Sequence, residues 1–156
     1  MAGPKLEDRK ATSIAYIEHK GPYGKVPWDE YMERLYGWVK VAKVMPGFYP
    51  MSICYDNPAN VAPDDCRSDI AITFKGEAKE APGVKIKQLP AMKVASISHK
   101  GPASEYADTY GRLWKFIEEK GYEGSGPPIE VYSKKPKVVG GVTILYAKIM
   151  IPVKKK

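Results

Sequence analysis

The stretch KLEDRKATSIAYIEHKGP at residues 5–22 returns in altered form as KIKQLPAMKVASISHKGP at residues 85–102. The two stretches lie 80 positions apart and are identical at 8 of 18 positions, including the His-Lys-Gly-Pro that ends each of them. Similarity at a fixed spacing indicates a duplicated structural unit. The four-residue motif is then the visible end of a much longer repeat.

The correspondence continues downstream, where the second copy is two residues shorter. At an offset of 78, Leu35 aligns with Leu113 within a predicted helix. A chain of this length is sufficient for one domain with a single shared core. We therefore predict one domain at 1–156, made of two repeats at about 5–76 and 84–153.

Both copies predict the same order of secondary structure. Alternating apolar and polar residues predict strands at 11–18 and 92–98, each ended by Gly-Pro. Apolar residues at helical spacing then predict one helix per copy. Pro27 suits the first helical position of one helix, and Ser104 suits the N-cap of the other.

Further strands follow the helix in each copy, and each copy begins with one extra N-terminal strand. The segments that predict them are MSICY (51–55), DIAITF (69–74), VKIKQL (84–89), IEVY (129–132) and VTILYAKIMIPV (142–153). The prediction is an α+β fold of two pseudo-symmetric β-α-β-β modules, with mostly antiparallel sheets and one long helix each.

Composition excludes several classes of protein. No run of 18 apolar residues predicts a membrane span, and the N-terminus has no apolar segment typical of a secretory signal, so we expect a cytoplasmic protein. Cys54 and Cys66 lack CxxC spacing and are expected to be reduced thiols. With His19 and His99 80 positions apart, the sequence predicts no metal site and no cofactor.

The net charge of +7 is unevenly distributed. The first 78 residues carry a net charge of −1, from 10 basic and 11 acidic residues, and the last 78 carry +8, from 15 and 7. The basic residues are mostly scattered and do not alternate with aromatic residues as in a nucleic-acid-binding surface. This pattern favours a solvated basic face.

The second copy, VASISHKGPASEYADTYGRLWKFIEEKGYEGSGPPIEVYSKKP, resembles the GyrI-like small-molecule-binding domain, and IAYIEHKGPYG of the first copy is similar to it as well. The resemblance extends over about residues 5–153. It implies an amphipathic cleft between the modules for hydrophobic, often cationic or planar molecules. Activator members of the AraC and MerR types also carry a DNA-binding domain; we expect none in this sequence, which resembles the stand-alone members.

Features shared by both copies are expected to serve the fold. His19 and His99 are shared, and each ends a strand. A histidine there could act as a general base. The structural alternative, which we favour, is a hydrogen bond to backbone across the pseudo-two-fold axis.

Glu130 is present in one copy only, since Ser52 is its counterpart. Strand alternation places Glu130 and Tyr132 on the same face of a predicted inner strand. A buried carboxylate is costly unless it is paired or lines a cavity. The resemblance implies that Glu130 lies at the floor of the cleft and meets cationic ligands; the alternative is a salt-bridged strand residue.

Aromatic residues could form the walls of such a site, because they stack on planar molecules and attract cations. The same spacing is also typical of core residues. The candidate ligand-binding residues are Glu130, Tyr132, Tyr110, Trp114, Tyr16, Trp28 and Tyr31.

The leading hypothesis is capture of small hydrophobic, cationic or planar molecules for sequestration or sensing. Whether the protein is an enzyme stays open: Glu130 could serve a hydrolase of reactive cyclopropane-type toxins as a catalytic acid or base. Met150 stands where many hydrolytic members of the similar family carry a tyrosine, which weakens this alternative. A third hypothesis is a protein interaction, such as modulation of a topoisomerase.

Overall fold

The computed structural model describes residues 3–156 and divides into two compact units. Unit 1 contains the described residues up to Lys10 together with Ala91–Lys156, and unit 2 contains Ala11–Pro90. In chain order, the elements are β1 (Lys5–Arg9), β2 (Thr12–Lys20), α1 (Trp28–Ala42), β3 (Met45–Pro46), β4 (Met51–Cys54), β5 (Arg67–Lys75), β6 (Lys85–Leu89), β7 (Met92–Gly101), α2 (Tyr106–Glu119), β8 (Tyr122–Gly124), β9 (Ile129–Val131), β10 (Lys137–Val139) and β11 (Val142–Lys155).

Unit 2 is an antiparallel sheet covered on one face by α1. Its strands follow the order β4-β5-β2-β6, and β3 adds to β5. The covered face is apolar because alternate residues of β2 and β5 are small or aliphatic, as at Ala15, Ile17 and Ile72. Leu35 of α1 is fully buried against them.

Unit 1 repeats this arrangement with α2. Its strands follow the order β1-β7-β11-β9, and β8 and β10 also pair with β11. Leu113 and Ile117 of α2 pack on Ile97 and Ile149 of the sheet. The opposite face of each sheet carries the alternate residues of the same strands.

The strand registers of the two units correspond. Ile70 of unit 2 lies opposite both Ile17 and Ser52. In unit 1, Ile149 lies opposite both Ile97 and Glu130. These positions differ by the offsets of 78 to 80 that relate the two copies in the sequence.

The first strand of each copy pairs in a way that the sequence did not indicate. β1 precedes β2 in the chain but pairs with β7 in unit 1. β6 precedes β7 but pairs with β2 in unit 2. Each unit therefore contains one edge strand from the other copy.

The α+β class and the mostly antiparallel sheets are confirmed. The predicted N-cap at Ser104 is wrong, because Glu105 N–H donates to Pro102 O at 3.0 Å and closes a 3₁₀ turn before α2 begins at Tyr106. Pro27 is likewise the N-cap of α1 and not its first helical residue, since its ψ of 74° lies outside the helical range. Among residues 3–156, no helix is long and apolar enough to cross a membrane.

Candidate functional site

Glu130 lies in the short strand β9, beside β11 in unit 1. It is directly opposite Ile149, so its side chain lies on the sheet face that α2 covers. Only 8% of the residue is exposed. The fold therefore holds a carboxylate at the margin of an apolar core.

Two tyrosine hydroxyls bind this carboxylate. Tyr110 of α2 donates to Oε2 at 2.5 Å, and Tyr132, two residues beyond Glu130, donates to Oε1 at 3.0 Å. Both tyrosines are half-buried. The helix and the strand thus bring together three of the predicted site residues, with one hydroxyl on each carboxylate oxygen.

The Glu130 carboxylate has no basic partner among residues 3–156. No lysine, arginine or histidine nitrogen of these residues lies within 4.0 Å of it. Hydroxyl donors solvate a buried carboxylate but do not neutralise it, and an uncompensated charge in a poorly solvated place is costly. The arrangement is suited to receiving a positive charge.

Unit 2 contains a second buried carboxylate, which forms an ion pair with a lysine of the same unit. Asp69 is 4% exposed, and Lys87 Nζ lies 2.6 Å from its Oδ2. The Tyr55 hydroxyl also donates to Asp69 and accepts a hydrogen bond from Lys87 at 2.7 Å. The Lys87 ammonium lies 4.4 Å from the centre of the Tyr16 ring.

This cluster shows how the fold satisfies a buried carboxylate with an ammonium and aromatic rings. Burial disfavours the charged form of Lys87, but the hydrogen bonds to Asp69 and Tyr55 outweigh it and raise the pKa of the ammonium. Tyr16, predicted as a ligand residue, is in contact with this internal cation. The sequence prediction missed the cluster, although Lys87 aligns with Glu7 and Asp69 with Lys148, a reversal of charge that was visible in the sequence.

The other predicted aromatic residues lie elsewhere. Trp114 is 45% exposed and lies over Gly124, where an added Cβ would be 2.7 Å from its ring. Tyr31 binds His19 and packs on the core of unit 2. Trp28 begins α1 in the same unit and is half-buried.

Both histidines bind the helix of their own unit. His19 Nδ1 lies 2.9 Å from Tyr31 Oη, and His99 Nδ1 lies 2.7 Å from Thr109 Oγ1, at the equivalent helix position. Among residues 3–156, the expected backbone hydrogen bond is found for His99 Nε2, at 3.3 Å from Gly101 O within the same unit, and not for His19 Nε2. These contacts favour a structural role over general-base chemistry.

Unit 1 also carries two grooves that do not include Glu130. One, of about 340 Å³, lies beside the first turn of α2 and is lined by polar residues that include His99, Asp108 and Arg112. The other, of about 420 Å³, is lined by Trp114 and Tyr122, among others. Cys54 and Cys66 form no disulfide bond among residues 3–156, and Cys54 Sγ lies 3.7 Å from Ser52 Oγ.

Comparison with known proteins agrees with this fold. The family model of the GyrI-like small molecule binding domain matches residues 3–154. A search of curated protein sequences finds no match. Among solved structures, the C-terminal domain of EcmrR is similar with a TM-score of 0.79 at 16% identity, over 98% of each chain.

Two further structures share the fold. One is described as a hydrolase from Listeria innocua, with a TM-score of 0.70 at 14% identity, over 97% of this chain and 92% of that chain. The other is SAV2435 bound to tetraphenylphosphonium, with a TM-score of 0.55 at 14% identity, over 98% of this chain and 94% of that chain. At these identities the likeness shows the fold alone.

Proposed function

The chain belongs to the family of GyrI-like small-molecule-binding domains, and on that premise we propose that it binds small hydrophobic cations at Glu130. The observation that carries this proposal is the buried carboxylate that two tyrosines hold and that no described basic residue neutralises. A bound cation would supply the missing charge. The function is then capture of such molecules, for sequestration or sensing.

The physical basis is a charge pair in a poorly solvated place. The attraction between opposite charges grows as the surrounding dielectric constant falls, so a buried carboxylate discriminates strongly between a cation and its neutral analogue. Tyrosine rings add attraction between their faces and the cation, by about 0.5–2 kcal/mol. Tyr110 and Tyr132 are positioned for this because their hydroxyls already bind the carboxylate.

Asp69 supports the same assignment by contrast. Its buried carboxylate is already occupied by Lys87, with the ring of Tyr16 beside the ammonium. An external cation at Asp69 would have to displace a covalently attached one. We therefore assign cation capture to Glu130 and not to Asp69.

Calorimetric titration with tetraphenylphosphonium tests the proposal, since a structurally similar protein binds this cation. Glu130→Gln keeps the shape of the side chain and removes its charge. We expect this variant to lose at least about tenfold in affinity, which corresponds to about 1.4 kcal/mol. Tyr110→Phe and Tyr132→Phe keep the rings and should lose less.

Two controls make the result specific. Glu123→Gln removes an exposed carboxylate of the same unit, which lies 4.0 Å from Lys154, and should leave affinity unchanged. Triphenylphosphine oxide is a neutral aromatic probe and should bind wild type and Glu130→Gln equally. Equal affinity of wild type and Glu130→Gln for the cation would contradict the role of Glu130.

A hydrolase of strained electrophiles is the second candidate, favoured by the buried carboxylate that binds the Tyr110 hydroxyl and by the fold shared with a protein described as a hydrolase. Glu130 would act as general acid or base toward a water molecule. Met150 lies opposite Ile129 and therefore on the other face of the sheet from Glu130, so a hydroxyl at position 150 would not orient that water. Incubation with a cyclopropane-containing electrophile, followed by mass spectrometry, tests this candidate, and turnover equal to that of Glu130→Gln would remove it.

A further inference from the structure

Two very short connections carry the chain between the units. Only Lys10 and Ala11 separate β1 from β2, and only Pro90 and Ala91 separate β6 from β7. Antiparallel strands joined by two residues ordinarily form a hairpin. Here the chain passes instead from one unit to the other at each connection.

The local hairpins are available in the same register as the observed pairs. Leu89 of β6 lies opposite Thr12, so a shift by the repeat offset would put Arg9 of β1 opposite Thr12. Arg9 and Thr12 are also the residues that would close a two-residue hairpin between β1 and β2. In the other unit, Arg9 lies opposite Met92, and Leu89 could take that place.

Apolar packing does not distinguish the two arrangements. Leu6 of β1 packs on the core of unit 1, and Ile86 of β6 packs at the equivalent place in unit 2. The two side chains have nearly the same volume and apolar character, so each could fill the place of the other. Another feature must direct each strand to its partner.

The charges on the opposite sheet face do distinguish them. Glu7 of β1 binds Lys148 of unit 1 at 2.8 Å and accepts a hydrogen bond from Ser96. At the equivalent positions of unit 2, Lys87 of β6 binds Asp69 at 2.6 Å. The polarity of the ion pair is therefore reversed between the units.

In each unit, a residue of the neighbouring strand contacts the charged side chain of β1 or β6, and its chemistry suits the sign of that charge. In unit 1, Ser96 donates a hydrogen bond to the Glu7 carboxylate. In unit 2, the equivalent Tyr16 presents its ring to the Lys87 ammonium. A hydroxyl donor suits a carboxylate, and an aromatic face suits a cation.

The neighbouring position adds a second matched pair. Asp8 binds Lys93 at 3.1 Å in unit 1, and Gln88 accepts a hydrogen bond from Ser13 at 2.7 Å in unit 2. With the strands interchanged, Asp8 would face Ser13 and the ion pair with Lys93 would be lost. Both positions thus favour the same choice of strand.

We propose that the oppositely oriented ion pairs Glu7–Lys148 and Lys87–Asp69 direct each of the strands β1 and β6 to the sheet of the other copy. Local hairpins would bring Glu7 beside buried Asp69 and Lys87 beside Lys148, and like charges at such positions are destabilising. Pro90 acts in the same direction, because its fixed negative φ is incompatible with the first position of the usual hairpin turns.

The test interchanges the two charges. In Glu7→Lys/Lys87→Glu, the observed pairing has like charges in both units and the local hairpins have opposite charges. Pro90→Asn/Ala91→Gly, which permits a tight turn, is introduced into every protein compared. Nuclear Overhauser contacts from β1 to β7 report the observed pairing, and contacts from β1 to β2 report the hairpin.

With wild-type charges we expect contacts from β1 to β7 only. In Glu7→Lys/Lys87→Glu we expect these contacts to be lost and contacts to β2 to appear. Retention of the β1–β7 contacts, with an unchanged urea midpoint, would overturn the proposal.

A neutral variant covers the case in which the interchanged variant does not fold. Glu7→Gln/Lys87→Gln removes both ion pairs without adding repulsion. We expect its urea midpoint to lie between those of the wild-type charges and the interchanged charges, and unfolding of the interchanged variant alone also supports the proposal. Equal midpoints for the neutral and interchanged variants would overturn it, because the sign of the charges would then have no effect.

Discussion

Three carboxylates on the sheet faces, those of Glu7, Asp69 and Glu130, differ in what neutralises them. Lys148 neutralises Glu7 and Lys87 neutralises Asp69, whereas Glu130 receives only tyrosine hydroxyls among the described residues. The first two are therefore expected to contribute to stability, and the third to ligand binding. Their different surroundings lead to separate predictions.

Glu7 should make the protein sensitive to acid. Hydrogen bonds from Lys148 and Ser96 outweigh partial burial and lower the pKa of Glu7 below its ordinary value of 4.5. Since the folded state has the lower pKa, this contribution is fully present above about pH 4.5 and is lost as the pH falls through the folded pKa. We expect Glu7→Gln to lower the urea midpoint at neutral pH, and we expect the difference from wild type to shrink as the pH falls through the lowered folded pKa of Glu7. A difference that does not depend on pH would contradict this explanation.

Tyr23 should make the protein sensitive to alkali. Burial raises the pKa of Tyr23 to about 12, and its hydroxyl donates to Asp56 O at 2.8 Å and Arg67 O at 3.0 Å. In the unfolded chain, Tyr23 ionises near pH 10.0. Its contribution to the stability of the folded state is therefore fully present below that pH and is lost as the pH rises toward 12. Ultraviolet titration should show one tyrosine ionising near pH 12 that is missing in Tyr23→Phe. Identical titration curves would refute the assignment.

The two helices stabilise their units through equivalent residues. Leu35 of α1 and Leu113 of α2 are both fully buried and are related by the offset of 78. Each belongs to the apolar cluster between its helix and its sheet. Truncation of either residue should therefore leave a cavity that the sheet cannot close.

We expect Leu35→Ala and Leu113→Ala each to lower the free energy of unfolding by about 2–5 kcal/mol. Urea denaturation followed by circular dichroism measures the loss. Val41→Ala, at an 84% exposed position of α1, is the matched control and should change stability by less than about 0.5 kcal/mol. A loss below about 1 kcal/mol at either leucine would show that the site relaxes around the missing atoms.

The elements that could be predicted from sequence are those with a strong local pattern. Long strands such as Met92–Gly101 alternate in polarity over many residues, and both helices have a clear apolar stripe. β3, β8 and β10 have two or three residues, too few to show a period. The pairing of β1 with β7 depends on contacts between residues that are distant in sequence, so local patterns cannot reveal it.

The candidate site shows the same limit. Tyr132 follows Glu130 by two residues and lies one position past the end of β9, and strand alternation predicted that the two side chains would be close. Tyr110 comes from α2, and only the packing of helix on sheet places its hydroxyl on Glu130. Trp114, one turn further along α2, lies over Gly124 because β8 provides a place without a side chain. Helical spacing alone could not show that Tyr110 contacts Glu130 and that Trp114 lies over Gly124 instead.

The net positive charge of the molecule is carried by unit 1. Unit 1 has 15 basic and 8 acidic residues, a net charge of +7, and unit 2 has ten of each and no net charge. Glu130 therefore lies in the unit that repels cations at long range. Local attraction and long-range repulsion respond differently to salt, because exposed charges are screened by ions and buried pairs are screened much less.

This difference leads to a prediction for ligand binding. Raising the ionic strength from 0.01 M to 0.15 M shortens the screening length from about 30 Å to about 8 Å, which weakens the repulsion by unit 1 more than the attraction by Glu130. We expect the association rate constant of tetraphenylphosphonium, followed by stopped-flow fluorescence, to rise with salt, as for a charged ligand approaching a surface of like charge. Triphenylphosphine oxide should show no such rise, which separates charge screening from a general effect of salt on apolar molecules. A rate constant for the cation that falls with salt would mean that exposed acidic residues attract the ligand, and would contradict capture at a buried carboxylate in a positively charged unit.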